Sequence, residues 1–273
     1  MVYRWRCPHC DFSSWAAGRE QVAESVKSHL LSHYQRNLRQ EDFSYTWVCP
    51  YCQSEHHDHD QEQAIEDFKA HLFDHAEVRL KADVHLADEI NRTGSILIKA
   101  PLNSTGADGA RIHLLTAANV NIFVTREPER RIELIRDEFS EWPTSTIVIT
   151  TKSQPLLEVE GVDLDTVPLE IVHLNKRLGP SSLGETVSRV LSEHESAGKI
   201  SLEFDILSEL ITKFDVSEVV HFLQGFTSRC DRSEVLSHYY VNPQAQSESI
   251  MNVLEQLFDM QVEANGLVFE SSD

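Results

Sequence analysis

The sequence predicts an α/β fold in which a metal-held N-terminal module precedes a mainly parallel sheet covered by helices. Three observations predict it. Cys7-Pro-His-Cys10 with His29-Leu-Leu-Ser-His33 recurs 42 residues later as Cys49-Pro-Tyr-Cys52 with His71-Leu-Phe-Asp-His75. From Gly94 to Glu270 short apolar runs alternate with amphipathic stretches, the pattern of strands joined by covering helices. The chain is 41% apolar, yet no apolar run approaches the roughly 18 residues of a membrane span.

The repeat carries metal chemistry. Zinc takes four nitrogen or sulfur donors in a tetrahedron. Two cysteines separated by two residues curl onto one ion, and two histidines four apart share one helix face. In both copies 18 residues separate the second cysteine from the first histidine. A chance HxxxH helix beside unrelated cysteines would not repeat that spacing. Cys7, Cys10, His29 and His33 therefore form one expected ligand set, and Cys49, Cys52, His71 and His75 a second, giving two zinc ions per chain. Residues 1–78 resemble Cys2His2 zinc fingers, with 18 residues where the common finger has about 12. The extra length reads as a longer knuckle-to-helix connection, Asp11 to Arg19 and Gln53 to Gln61. Helices are then expected over Glu20–Arg36 and Glu62–Val78, with Val22, Val26 and Leu30, and Ile65, Phe68 and Leu72, on their apolar faces. Units this small depend on metal for folding free energy. The expected organisation is finger one over 1–40, finger two over 41–80, a connector over 81–92 and an α/β domain over 93–273.

In the α/β domain the expected strands are Gly94–Ala100, Val120–Thr125, Thr144–Thr150, Leu169–Leu174, Ile200–Phe204 and Val235–Val241. Helices are expected over Ala110–Ala118, Glu127–Trp142, Ser182–Glu195, Asp215–Arg229 and Glu248–Phe258, and a hairpin closes the chain over Met260–Glu270. The loop after the first strand, Pro101-Leu-Asn-Ser-Thr-Gly-Ala-Asp108, resembles the phosphate-binding position of RecA-like and KaiC-like ATPases. Ile200-Ser-Leu-Glu-Phe-Asp205 resembles their second acidic strand. The resemblance spans about residues 93–264 and implies a RecA-like domain of the haloarchaeal kind. Its chemistry is missing here: with Gly106 aligned, Ala107 stands at the lysine and Asp108 at the hydroxyl that a working loop uses on the phosphates and magnesium. Asp205 reads as a metal-binding aspartate or, with better odds, a cap or turn residue. No ATP hydrolysis is expected, and no enzyme.

The net charge is −20, with 8 Lys against 16 Arg. An acidic, lysine-poor surface stays hydrated in a salt-rich cytoplasm, so the composition points to a halophilic archaeon; the competing reading, an acidic disordered chain, conflicts with the apolar periodicity. Four of five cysteines belong to the CxxC pairs, leaving Cys230 as a buried structural thiol in a reducing compartment. Met1-Val-Tyr-Arg leads directly into the first knuckle, so a cytoplasmic chain without a signal peptide is expected.

Partners follow from charge and side-chain type. Counting back from the first zinc histidine, as in DNA-reading fingers, puts Val22, Ser25 and Ser28, and Ala64, Asp67 and Ala70, where bases would be met. None makes the arginine–guanine or asparagine–adenine pairing. Residues 1–40 hold six basic against three acidic side chains, and residues 41–81 three against ten. Finger one is left to touch phosphate through Arg4, Arg6, Arg19 and Lys27, and finger two to repel it. Trp5, Phe12, Trp15 and Trp47 offer a protein-docking patch, with packing beside the knuckles as the better reading for Trp5 and Trp47. The His56-His57-Asp58-His59-Asp60 run reads as a solvated loop, and His9 as a knuckle residue, since Tyr51 replaces it in copy two. The expected function is a non-catalytic zinc-binding regulator or adaptor that docks a protein or nucleic acid. A zinc-finger transcriptional regulator and an unusual ATPase are the alternatives.

Overall fold

A computed structural model describes residues 2–156, 159, 161–163, 166–176 and 179–271. The chain divides into two compact units, residues 2–84 and 85–271.

In the first unit each copy of the repeat folds as a hairpin followed by a helix. β1 (Tyr3–Arg6) pairs antiparallel with β2 (Ser13–Ala16), and α1 spans Arg19–Tyr34. In copy two, β3 (Leu38–Glu41), β4 (Ser44–Val48) and β5 (Glu55–Asp58) form an antiparallel sheet, and α2 spans Gln61–Ala76. The stretches expected as longer connections therefore carry β2 and β5. The rest of the added spacing is helix, since three turns of α1 and α2 precede His29 and His71. The His56–Asp60 run is not a loop either. It supplies β5, and the Asp60 carboxylate caps α2 by accepting from the Glu62 and Gln63 amides at 2.8 and 3.1 Å.

The apolar stripes meet as the spacing predicts, except that Ile65 is only half-buried and Ala64 takes the inner position. Val22, Val26, Leu30, Phe68 and Leu72 are fully buried, and α1 packs against α2. The Trp5 indole N–H donates to the Ala76 carbonyl at 3.0 Å, and the Asn37 side-chain N–H to the Val48 carbonyl at 3.0 Å. The two fingers thus share one core. The stretch expected as a connector is divided: β6 (Lys81–Ala82) pairs with β1, and α3 (Leu86–Glu89) belongs to the second unit.

The second unit is mixed α/β with a large, mostly parallel sheet flanked by helices. Its strands are β7 (Gly94–Lys99), β8 (Val120–Val124), β9 (Ser145–Thr150), β10 (Leu169–His173), β11 (Ile200–Phe204), β12 (Leu236–Val241), β13 (Met260–Asn265) and β14 (Val268–Ser271). They lie in the order β10-β9-β8-β11-β12-β7-β13-β14, and only β14 runs antiparallel to its neighbour in that series. The terminal hairpin is present, and its first strand extends the sheet beside β7. Helices α4 (Thr105–Leu115), α5 (Pro128–Glu138), α6 (Pro180–His194), α7 (Leu207–Lys213), α8 (Val216–Arg232) and α9 (Glu248–Glu255) connect the strands. α5 and α9 end at Glu138 and Glu255, short of the expected Trp142 and Phe258, and two other helices differ further. α4 begins at Thr105, because the Ser104 hydroxyl accepts the Ala107 amide at 3.2 Å and caps it there. α7 was not foreseen; seven residues give a helical period little room to declare itself.

The two faces of this sheet differ. One carries Ile122, Val124, Ile147, Ile149, Leu202 and Phe204 under α6 and α8, a continuous apolar core. The other carries Phe123 and Val148 under Leu115 of α4 and Ile132 and Ile135 of α5. It also carries Glu203 and Asp205, which the two-residue period of β11 aims the same way.

Candidate functional site

The two cysteine–histidine sets come together as the repeat predicts. In the first, Cys10 Sγ lies 3.4 Å from both His29 Nε2 and His33 Nε2, Cys7 Sγ is 3.5 Å from His33 Nε2, and the two Nε2 atoms are 3.1 Å apart. In the second, Cys52 Sγ is 3.3 Å from His71 Nε2, and the His71 and His75 Nε2 atoms are 3.3 Å apart. Zinc bonds of about 2.3 Å to sulfur and about 2.05 Å to nitrogen give tetrahedral S···N edges near 3.5 Å and N···N edges near 3.3 Å. Both donor sets fit that ion. All four donor atoms of each set lie within 4.8 Å of one another.

The surroundings prepare the donors. The His9 amide points at Cys7 Sγ and the Tyr51 amide at Cys49 Sγ, each at 3.4 Å, so matched knuckle N–H groups face matched sulfurs. Hydrogen bonds from Ser54 bring the Cys52 thiol down to about 5, into the thiolate range. Burial, with His33 beside it, lowers His29 to about 4 and leaves a neutral ring with a lone pair for a metal. Trp5 and Trp47, at corresponding positions, pack beside His29 and His71 with ring centres 6.1 and 5.0 Å apart. These two, and Trp15, are buried; Phe12 stacks on the His29 ring at 3.8 Å. Trp5, Phe12 and Trp47 therefore pack against the cysteine–histidine sets, Trp15 lies buried under Arg4, and the four form no exposed docking patch. His9 stands outside the ligand set, its Nε2 3.1 Å from the Tyr34 hydroxyl. His56, Asp58 and Asp67 come together as a group on β5 and α2, with His56 exposed and the two carboxylates half-buried.

The expected base-facing positions divide: Ser28 and Ala70 are exposed, and Ser25 and Asp67 are half-buried. Val22 and Ala64 are fully buried in the shared core. The four basic residues of finger one expected to touch phosphate also have local partners. Arg6 lies 3.8 Å from Asp11, Lys27 2.5 Å from Glu24, and Arg19 pairs with Glu77, while Arg4 lies over the Trp15 ring.

At the carboxyl ends of β7, β8 and β11 the structure assembles a group that sequence reasoning missed. Arg111 of α4 and Arg131 of α5 are fully buried and converge on Glu203, donating from Nε at 2.8 and 2.6 Å to the same carboxylate oxygen. Arg131 Nη2 reaches Asp205 at 2.7 Å, and the Thr125 hydroxyl donates to the same Asp205 oxygen at 2.6 Å. Arg111 also lies over the Tyr240 ring at 4.2 Å. Burial opposes charge on Glu203, yet Arg111 and Arg131 hold it below the ordinary glutamate value. Burial pushes Asp205 the other way, above the ordinary aspartate value, with Arg131 opposing and Glu203 adding to the shift. Asp205 is thus a turn residue directly after β11, as one of the expectations had it, and a member of a buried ion network.

The loop residues have similar structural work. Gly106 and Ala107 sit in the first turn of α4, and a Cβ on Gly106 would lie 2.3 Å from the Ala264 carbonyl oxygen. The glycine is where the helix meets the backbone of β13. Asp108 accepts from Arg111 at 2.9 Å and pairs with Arg130. Burial raises the Cys230 thiol to about 12, an inert core group. A glutamate between Leu202 and Phe204, in a strand buried on both faces, was the one available signal: it required a cation somewhere.

A family model described as a family of unknown function (DUF7504) matches residues 93–264. No curated protein matches the chain. Among solved structures, a Pyrococcus horikoshii OT3 protein described as a structural study of Project ID PH0250 is similar at 13% identity. The match covers 66% of this chain and 87% of that one, with a TM-score of 0.43. Another, uncharacterized protein PH0321 from Pyrococcus horikoshii in complex with an unknown peptide, is similar at 11% identity, covering 64% and 82%, with a TM-score of 0.44. No helix among the described residues is long and apolar enough to cross a membrane.

Proposed function

The chain belongs to the DUF7504 family, and from its residues we propose a zinc-binding, non-catalytic adaptor or regulator. Each Cys2His2 set holds one zinc ion as a structural centre, with all four positions filled by protein. No ligand position is left for water, so the metal contributes folding free energy rather than chemistry. The fused finger unit presents a surface to a protein partner, and the second unit serves assembly or signalling in the cytoplasm.

One observation carries the non-catalytic reading. The carboxylates that a RecA-like domain would keep for magnesium are engaged by Arg111 and Arg131. Arg111 rises from the helix where such a domain would hold phosphate, and Asp108 beside it would repel one. Calorimetric titration of the full chain with magnesium ATP tests this. No saturable binding below about 1 mM is expected. Micromolar binding, or metal-dependent hydrolysis that disappears in Asp205→Asn, would overturn it.

Nucleic-acid binding remains the second reading, through Arg4, Arg6, Arg19 and Lys27 on finger one. The local pairing of these cations and the burial of Val22 and Ala64 favour a protein partner instead. Sequence-specific retention of a DNA duplex in about 1 M potassium chloride would reverse that preference.

A further inference from the structure

The sheet of the second unit has a switch point that the proposal above does not use. β8 and β11 are hydrogen-bonded neighbours, but the chain leaves β8 toward β9 on one side and leaves β11 toward β12 on the other. Loops parting in opposite directions open a crevice outside the carboxyl ends of the two strands. A cavity of about 230 Å³ lies there, between the ends of β8 to β11 and the helices α6 and α7. Beyond Arg126 and Ile206 an adjoining cavity of about 440 Å³ continues along the same edge to Lys152 and Asp205.

The lining of the first cavity is chemically divided. Its floor is apolar, built by Val124, Ile149, Leu183 and Leu210, all buried. Its rim holds Arg126, Lys176 and Lys213, and Glu209 is the one carboxylate in its described lining. Glu209 bonds Arg126 at 2.9 Å and pairs with Lys213, whereas Lys176 has no acidic partner among the described residues. Three cations against one anion leave two positive charges in excess. The whole chain carries −20 and only eight lysines, of which Lys176 and Lys213 stand on this rim; the adjoining cavity adds no excess charge, since its Lys152 is held by Glu129 at 2.8 Å and its lining includes Glu127 and Asp205. A crevice of net positive charge on so acidic a protein focuses small anions. An apolar floor with a few convergent polar groups is the usual construction of a small-molecule site.

We propose that this crevice binds a small dianion with an apolar body, of the phosphate-monoester class. The body lies on the floor, and the anionic group meets Arg126, Lys176 and Lys213, displacing Glu209 from its present ion pairs. Two excess charges match a dianion, and the volume suits a ligand of one ring or a short chain. The inference concerns the switch point alone and stands whether or not the fingers hold zinc or the β7 loop binds nucleotide.

The test is calorimetric titration of the full chain with phenyl phosphate at about 0.01 M ionic strength, where the Debye length of about 30 Å leaves surface charge little screened. Saturable one-site binding with a Kd below about 1 mM is expected, and inorganic phosphate and benzyl alcohol, each lacking one half of the probe, should bind about tenfold more weakly or worse. Lys176→Glu and Arg126→Gln, both at exposed positions, should each weaken phenyl phosphate about tenfold while leaving the melting temperature unchanged. The proposal fails if phenyl phosphate shows no saturation up to about 10 mM, if both variants bind like the wild type, or if inorganic phosphate binds as tightly as the ester.

Discussion

Replacing Arg131 by Met keeps most of the side-chain stem and removes only the guanidinium, so it tests whether the arginines hold the buried carboxylates. In the native protein Arg131 donates to Glu203 at 2.6 Å and to Asp205 at 2.7 Å, with both partners buried. After the change Glu203 keeps Arg111 and Asp205 keeps only the Thr125 hydroxyl. Removing one partner of a buried pair costs about 3–5 kcal/mol, because the remaining charge stays desolvated. With a urea m-value of about 2.5 kcal/mol/M, the unfolding midpoint of the second unit should fall by about 1.5 M. Hydrogen exchange of the β8 and β11 amides would assign the loss to this network. The pH dependence carries its own sign. Glu203, held low, contributes stability above its unfolded value that is lost as pH falls; Asp205, held high, contributes most at low pH and loses that as pH rises through its folded value. Without Arg131 both carboxyls take protons more readily in the folded state. The deficit of the variant should therefore shrink between about pH 8 and about pH 5. A loss below about 1 kcal/mol at neutral pH, or one that grows in acid, would refute the assignment of the arginines as counter-charges.

Two further outcomes follow from the same geometry. Cys49→Ala should abolish the second zinc site and also loosen the first finger, because α1 and α2 share a core and Trp5 donates to the Ala76 carbonyl. Structural zinc contributes about 10 kcal/mol or more, comparable with the whole stability of a unit this size. Metal analysis should fall from two ions toward none while the second unit keeps its transition; a variant retaining one ion and native tryptophan fluorescence would contradict the shared core. Gly106→Ala should destabilise the second unit by about 2 kcal/mol through overpacking against the Ala264 carbonyl, as urea unfolding would show. A neutral effect would mean that the glycine is not held by that contact.

The two cysteine–histidine clusters were the most legible part of the molecule, and the reason is local. A repeated spacing of four donor side chains carries its geometry with it: CxxC closes a knuckle, and HxxxH closes a helix turn. The strands were nearly as plain, because β7, β8, β9 and β11 are buried on both faces and read as short apolar runs between turn residues. What the spacing concealed was where its own length went. Eighteen residues fit a long loop or a strand plus three helical turns equally well, and Ser13–Ala16, short and without alternation, does not announce a strand. The start of α4 was hidden for a related reason: Asn103-Ser-Thr-Gly106 has turn composition, yet Ser104 uses its hydroxyl to cap a helix.

The arginine–carboxylate network was illegible for a stronger reason. Arg111 and Glu203 are 92 residues apart, and Arg131 and Asp205 are 74. Each arginine lies at helical spacing from apolar residues, Arg111 from Ala107, Leu114 and Leu115 and Arg131 from Pro128 and Ile135, but an arginine on such a face reads first as an apolar stem with its head in water. Only Glu203 was anomalous in place. A carboxylate on a strand buried from both sides must be neutralised, paired or metal-bound, and the sequence can state that requirement without naming what meets it. The resemblance to a phosphate loop suggested one answer, a metal beside a nucleotide. The fold supplies two guanidinium groups from the helices that follow β7 and β8. The positions flanking an apparently damaged motif are thus where its replacement is to be sought: Arg111 lies five residues beyond Gly106, on the same helix.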